Sequence, residues 1–86
     1  MVSHTVVIRN PSGLHARPLS RFMKLVKTFR SEVRLVTPKG EVGCRSIVGL
    51  LGAAIKQGTA VEVRVEGPDE AEALIRIVEF LDGLVE

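Results

Sequence analysis

The sequence predicts an α+β domain in which three helices cover one face of a four-stranded, mostly antiparallel sheet. Three observations carry that prediction. The segments read in the order strand, helix, strand, strand, helix, strand, helix. Thr37-Pro38-Lys39-Gly40 joins the second and third strands as a hairpin, with proline presetting one turn dihedral and glycine tolerating positive φ. The cleanest alternation, Thr59 to Glu66, puts Thr59, Val61, Val63 and Val65 on one face and Glu62, Arg64 and Glu66 on the other, so one sheet face meets water.

Each element follows from its own pattern. Val2 to Arg9 alternates, with Val2, His4, Val6 and Ile8 on one face, and Asn10-Pro11-Ser12-Gly13 ends it. From Ala16 to Thr28, Leu19, Phe22, Met23 and Val26 recur at helical spacing, while Arg17, Arg21, Lys24 and Lys27 form a basic outer face. Glu32 to Thr37 and Glu41 to Arg45 are the hairpin strands. Ser46 to Gln57 reads as a short or irregular helix, weakened by Gly49 and Gly52 and capped by Gly58. After Thr59 to Glu66, Gly67-Pro68-Asp69 opens the last helix. Asp69 and Glu72 have the spacing of a capping box, and Ala71, Leu74, Ile75, Val78 and Leu81 read as the buried stripe.

With 86 residues, 45% of them apolar and 26% charged, residues 1–86 suit a single domain with one modest core. A chain of that size buries only about 60% of its unfolded surface, so chemistry is expected near the surface rather than in a deep cavity. The net charge of +2 favours acidic partners weakly, without the Lys and Arg runs of a dedicated nucleic-acid binder. Cys44 is the only cysteine, which excludes an intramolecular disulfide and fits a reducing cytoplasm. It has no CxxC partner, and with two histidines in the chain no zinc site is expected; Cys44 reads as a spectator thiol and His4 as a structural residue. No cofactor is implied. The start MVSHTVVIRN lacks the charged region and long apolar run of a leader, and no stretch has the apolar length of a span, so an unprocessed chain without membrane insertion is expected.

The chemistry concentrates at Asn10-Pro11-Ser12-Gly13-Leu14-His15-Ala16-Arg17-Pro18. Proline is tolerated in the first helical turn, so the helix starts just after His15 and points first-turn N–H groups and the positive dipole end toward the imidazole. Arg17 in that turn opposes the dipole, at a cost of about 0.3–1 kcal/mol unless an anion comes near. An imidazole with an ordinary pKa near 6.5 is partly neutral at pH 7, and its nitrogen can attack phosphorus. A phosphoryl group there would sit among N–H donors and Arg17 and stay exposed enough to be passed on. The plainer alternatives are a histidine that only hydrogen-bonds at a helix start, an arginine that is merely solvated, and, at Ser12, a turn residue rather than a phosphate contact.

Gly13-Leu14-His15-Ala16-Arg17-Pro18 strongly resembles the phosphorylation site of HPr, the histidine-containing phosphocarrier family of the bacterial sugar phosphotransferase system. Arg45-Ser46-Ile47-Val48-Gly49-Leu50, Gln57-Gly58-Thr59 and Glu66-Gly67 fit the same family, and the whole chain aligns in length and order. The resemblance implies an open-faced β-sandwich, βαββαβα, and a monomeric carrier rather than an enzyme. It further implies that His15 receives a phosphoryl group from phosphoenolpyruvate through enzyme I and donates it to IIA domains. Arg17 is then its charge partner, with Ser12, Ala16 and Pro18 beside the phosphate.

Ser46 stands where an N-cap belongs, and the resemblance marks it as the target of a regulatory serine kinase/phosphorylase, with a transcriptional regulator as a further partner. Arg45 replaces the lysine often seen before that serine. Ile47, Val48, Leu50, Leu51, Ala53, Ala54 and Ile55 leave almost no polar face, so some must be exposed. Periodicity does not divide them; the resemblance assigns Ile47, Val48 and Leu51 to docking, with Ser20, Arg21 and Lys24 nearby, and Leu50 and Ile55 to the core. The expected interface is apolar at its centre and basic at its rim, or the basic residues are simply solubilising charge. A rival reading is a small KH-like RNA-binding module, because Gly49-Leu50-Leu51-Gly52 has the GxxG pattern; both variable positions are leucine, and it leaves GLHARP unexplained.

Overall fold

The computed structural model describes residues 1–85. Its elements are β1 (Val2–Val7), α1 (Ala16–Val26), β2 (Glu32–Thr37), β3 (Gly40–Gly43), α2 (Ile47–Gly52), β4 (Ala60–Glu66) and α3 (Glu70–Asp82), in the expected order βαββαβα. The strands lie side by side as β1-β4-β2-β3, and every neighbouring pair is antiparallel, so the sheet is wholly rather than mostly antiparallel. Register aligns the apolar positions: Val6 faces Val61, Leu35 faces Val63, and Val33 faces Val65. Those side chains are buried beneath Leu19, Phe22 and Val26 of α1, Leu50 of α2, and Ala73, Ile77 and Leu81 of α3.

The opposite sheet face is a lattice of charge. Arg34 and Arg64 stand directly across from one another, and Glu41 lies between them, bonding Arg34 Nη1 and, at 3.3 Å, Arg64 Nη1. Glu32 and Glu62 complete the pattern at 3.2 and 3.0 Å. Glu41, then Glu32, raises the Arg34 pKa further. These groups are exposed or half-buried, so their main effect is to keep the open face soluble and in register rather than to stabilise it strongly.

Several boundaries differ from expectation. β1 ends at Val7, two residues early, α1 ends at Val26, and β3 spans Gly40–Gly43. At the hairpin, Thr37 Oγ1 accepts from the Lys39 N–H and donates to the Gly40 carbonyl, closing the turn. The helix expected over Ser46–Gln57 stops at Gly52, because Ala53 caps it and Ala54 adopts φ +50, reversing the chain. Gly58 is therefore not its cap; it serves the turn into β4, where its N–H donates to the Ile8 carbonyl at 2.6 Å. Gly49 and Gly52 lie within α2 and Leu50 is in the core, so the GxxG segment is not an exposed phosphate-gripping loop, and the RNA-binding reading loses its one motif.

α3 carries two corrections. Its buried ridge is Ala73, Ile77 and Leu81, with Leu74 and Val78 half-buried; Ala71 is exposed and Ile75 is 60% exposed beside His4. The ridge turns this way because Ala73 admits the sheet closely while Phe80 meets Phe22 at a ring separation of 5.9 Å. The capping box does not form. The Asp69 carboxylate instead accepts from the N–H groups of Arg30 and Ser31, both at 3.0 Å, and from the Ser31 hydroxyl, while Glu70 rather than Glu72 accepts from the Gly67 N–H. A long-range clasp has displaced the local cap.

The Ser31 hydroxyl foremost, and then the Arg30 N–H, hold the Asp69 carboxyl below its ordinary value of 3.8. A carboxylate depressed in the folded state contributes stability above its unfolded pKa, and that contribution drains as pH falls toward and through the lower folded value. Wild type should therefore lose stability on acidification from about pH 5 downward, and Asp69→Asn should flatten that limb. Denaturant midpoints measured between neutral and acid pH check this; parallel curves for the two proteins would contradict it.

Candidate functional site

The site is a loop and a helix start held against the α2–β4 connection. Asn10, Pro11, Ser12 and Gly13 form a turn closed by the Gly13 N–H donating to the Asn10 carbonyl at 3.1 Å. Gly13 takes φ +65 and presses against the backbone of Ile55 and Lys56, where a Cβ would have no room. Leu14 then plugs into the core, its N–H donating to the Ile55 carbonyl at 2.9 Å. Three further contacts tie the same strand end down: Gln57 Nε2 donates to the Arg9 carbonyl, the Gly58 N–H to Ile8, and Asn10 Nδ2 to the Gly13 carbonyl.

His15 emerges from that anchor as the N-cap of α1. Its backbone is extended (φ −99, ψ −169), its carbonyl accepts the first helical bond from the Leu19 N–H at 2.9 Å, and its side chain makes no cap bond and is exposed. The imidazole thus faces solvent at the helix start. Ala16 and Arg17 present the first-turn N–H groups, no acidic residue occupies that turn, and Arg17 is exposed there. An anion at the ring edge would meet the positive end of an 11-residue helix.

Pro18 stands in the first turn of α1, as its tolerance there predicts. It is buried and has no N–H, so it offers a phosphate nothing; what it supplies is a fixed φ for the first turn. Ser12 is exposed on the turn. Arg17 and Arg21 line one cleft with Glu79, Phe80 and the end of α3, whereas Ser20, Met23, Lys24, Lys27 and Ile47 line another between α1 and α2. Ser20, Arg21 and Lys24 are all exposed on α1, with Arg21 and Lys24 neighbours three residues apart on the helix surface.

In α2 and the turn that follows it, burial separates the apolar residues that periodicity leaves undivided. Val48, Leu51 and Ile47 are 79%, 47% and 43% exposed, while Leu50 and Ile55 are in the core. Ser46 is exposed, and its Oγ accepts from the Gly49 N–H at 3.1 Å as a true N-cap. Cys44 lies in the core, and burial pushes its thiol up to about 12, which leaves it unreactive at neutral pH. Among the described residues no group of three or more His, Cys, Asp and Glu side chains is placed to hold a metal, and no helix is long and apolar enough to cross a membrane.

The contacts that Asn10 and Asp69 make are not legible in the sequence. Asn10 stands in a run of turn formers, and nothing local distinguishes a side chain that braces the turn from one that faces water.

Comparison with known proteins bears on the whole chain. Residues 2–82 match the family described as PTS HPr component phosphorylation site. The phosphocarrier protein HPr of Mycoplasma pneumoniae is 41% identical over 78 residues, covering 90% of this chain and 89% of that protein. The HPr-like protein Crh of Bacillus subtilis is 36% identical over 81 residues, covering 94% and 95%. The crystal structure of a phosphocarrier protein HPr from Bacillus anthracis superimposes with a TM-score of 0.88 at 28% identity, covering 93% of this chain and 95% of that one.

Proposed function

Because this chain belongs to the HPr family, the phosphocarriers of the phosphotransferase system, we propose that His15 accepts a phosphoryl group from phosphoenolpyruvate through enzyme I and donates it to sugar-specific IIA domains. The observation that carries this reading is the exposed, uncapped imidazole at the start of α1, next to Arg17 in a first turn without an acid. In the transfer an imidazole nitrogen attacks phosphorus, the bond between phosphorus and the donor breaks, and its electron pair leaves with the donor. The N–H groups of Ala16 and Arg17 and the Arg17 guanidinium stabilise the charge on the phosphoryl oxygens. The group ends exposed, ready for the reverse step on the next acceptor. His15 must be unloaded before it can act again, so the protein is a carrier and not a turnover catalyst.

Residues 1–86 work as one domain and as a monomer in the cytoplasm. Ile47, Val48 and Leu51 dock partners, and Ser20, Arg21 and Lys24 of α1 border that surface; acidic partner rims suit this charge. Neither nucleic acid nor membrane is needed. Incubation with phosphoenolpyruvate, purified enzyme I and a IIA domain tests the reading: the protein should gain one phosphate and lose it to the IIA domain. Failure to gain phosphate from an enzyme I that loads another HPr would contradict it.

Ser46 is the regulatory site in this reading, open to a serine kinase/phosphorylase and, once modified, to a transcriptional regulator of carbon catabolite control. A phosphate on its hydroxyl would add about −1.5 to −2 charge beside the docking residues while still facing the α2 N–H groups. Ser46→Asp should keep the fold, since aspartate also caps helices, and should accept phosphate from enzyme I several-fold more slowly. Initial-rate measurements check this; an unchanged rate would remove the regulatory role.

A further inference from the structure

We propose that Asn10 is a positioning residue for phosphoryl transfer, acting on His15 through the Gly13–Leu14 peptide; this rests on the reading of His15 as the acceptor. Asn10 is 2% exposed and opens the turn that follows β1, just after Ile8 and Arg9, whose carbonyls accept from the Gly58 N–H and from Gln57 Nε2. Its Nδ2 donates to the Gly13 carbonyl at 2.8 Å. On the other side of the same peptide, the Leu14 N–H donates to the Ile55 carbonyl at 2.9 Å. A peptide unit is planar, and its C=O and N–H point in opposite directions, so this one is gripped at both poles.

The grip matters because the residue being gripped is a glycine. Gly13 lacks the Cβ that would restrict rotation of that plane, and its φ of +65 lies where glycine moves freely. The turn itself needs no side chain, since the Gly13 N–H already closes it onto the Asn10 carbonyl. What the Asn10 amide adds is the orientation of the next peptide. That peptide sets the direction in which Leu14 enters the core and His15 leaves it for the start of α1. With the amide gone, the Gly13 carbonyl stays in a buried place without its donor, and the plane is free to turn toward another. A histidine displaced by even 1 Å from its in-line approach to phosphorus can lose on the order of 100-fold in rate.

The test compares Asn10→Ala and Asn10→Leu with Ile77→Val, a change in the α3 core remote from the loop. Asn10→Leu fills the space without supplying a donor, which keeps a folded variant in hand if the alanine form is too unstable. Enzyme I kinetics with each protein as phosphoryl acceptor, at a temperature where all are folded, should give a kcat about tenfold lower for both Asn10 variants. KM should stay unchanged, because the exposed surface of α2 is untouched. The His15 ring resonances should shift or broaden in both, while Ile77→Val keeps wild-type kcat and ring signals. Folded Asn10 variants with wild-type kcat, or losses matched by Ile77→Val, would show a structural role only and overturn the proposal. Wild type that takes no phosphoryl group on His15 would overturn the carrier reading itself.

Discussion

Gly13→Ala is expected to lose about 3 kcal/mol of stability and most of its phosphoryl acceptance. Two physical costs combine. Holding an L-residue in the left-handed region costs about 1–2 kcal/mol, and forcing a methyl into filled space costs about 1–3 kcal/mol. The new Cβ would fall onto the Ile55 carbonyl oxygen and within 2.8 Å of the Lys56 Cα, both backbone atoms that cannot swing aside. Relief requires the loop to move off the α2–β4 connection, which breaks the Leu14 bond to Ile55 and shifts His15 with it. For a domain whose whole stability is about 4–13 kcal/mol, that is a large fraction. Urea unfolding and the initial rate with enzyme I measure the two effects; a variant with wild-type midpoint and rate would show that the close approach is not needed.

Phe22→Ala is expected to cost about 3–5 kcal/mol, the range for truncating a buried aromatic. Phe22 is fully buried in the middle of α1 and its ring lies tilted at 38° against Phe80 of α3, so its loss opens a cavity where two helices meet the sheet. The site sits one to two turns away, and its bonds to Asn10 and Ile55 are untouched. Whatever fraction remains folded should therefore accept phosphate at a near-normal rate. A loss below about 1 kcal/mol in urea unfolding, or a rate defect in fully folded protein, would contradict this assignment of Phe22 to packing alone.

The order of elements and the sheet were legible because they follow from local pattern. Thr59 to Glu66 and Glu32 to Thr37 alternate as the register requires, and Thr37-Pro38-Lys39-Gly40 is the observed turn. The site was legible in part for the same reason: Pro18 marks a helix start, and His15 is its N-cap. What escaped depends on residues distant in sequence. Asp69 carries the signature of a cap, but Ser31, 38 residues earlier, claims its carboxylate. The α3 spacing favours a stripe through Ile75, whereas Phe80 meets Phe22 of α1 and the Ile77 row lies inward. Gly58 looked like the end of a long α2, yet the chain reverses at Ala54, a residue with no intrinsic preference for φ +50. Asn10 reads as a turn former, and its amide also holds the Gly13 carbonyl of the peptide that leaves the turn.

The chain contains two histidines, and only His15 is proposed to carry the phosphoryl group. His4 lies on β1 beside Leu74, Ile75 and Val78 of α3, whereas His15 is the N-cap of α1. The decisive measurement is intact mass after incubation with phosphoenolpyruvate and enzyme I, before and after mild acid, for wild type, His4→Ala and His15→Ala. One acid-labile phosphate on wild type and on His4→Ala, with none on His15→Ala, is the predicted result. Phosphate retained by His15→Ala, or absent from His4→Ala alone, would contradict the assignment of the carrier site.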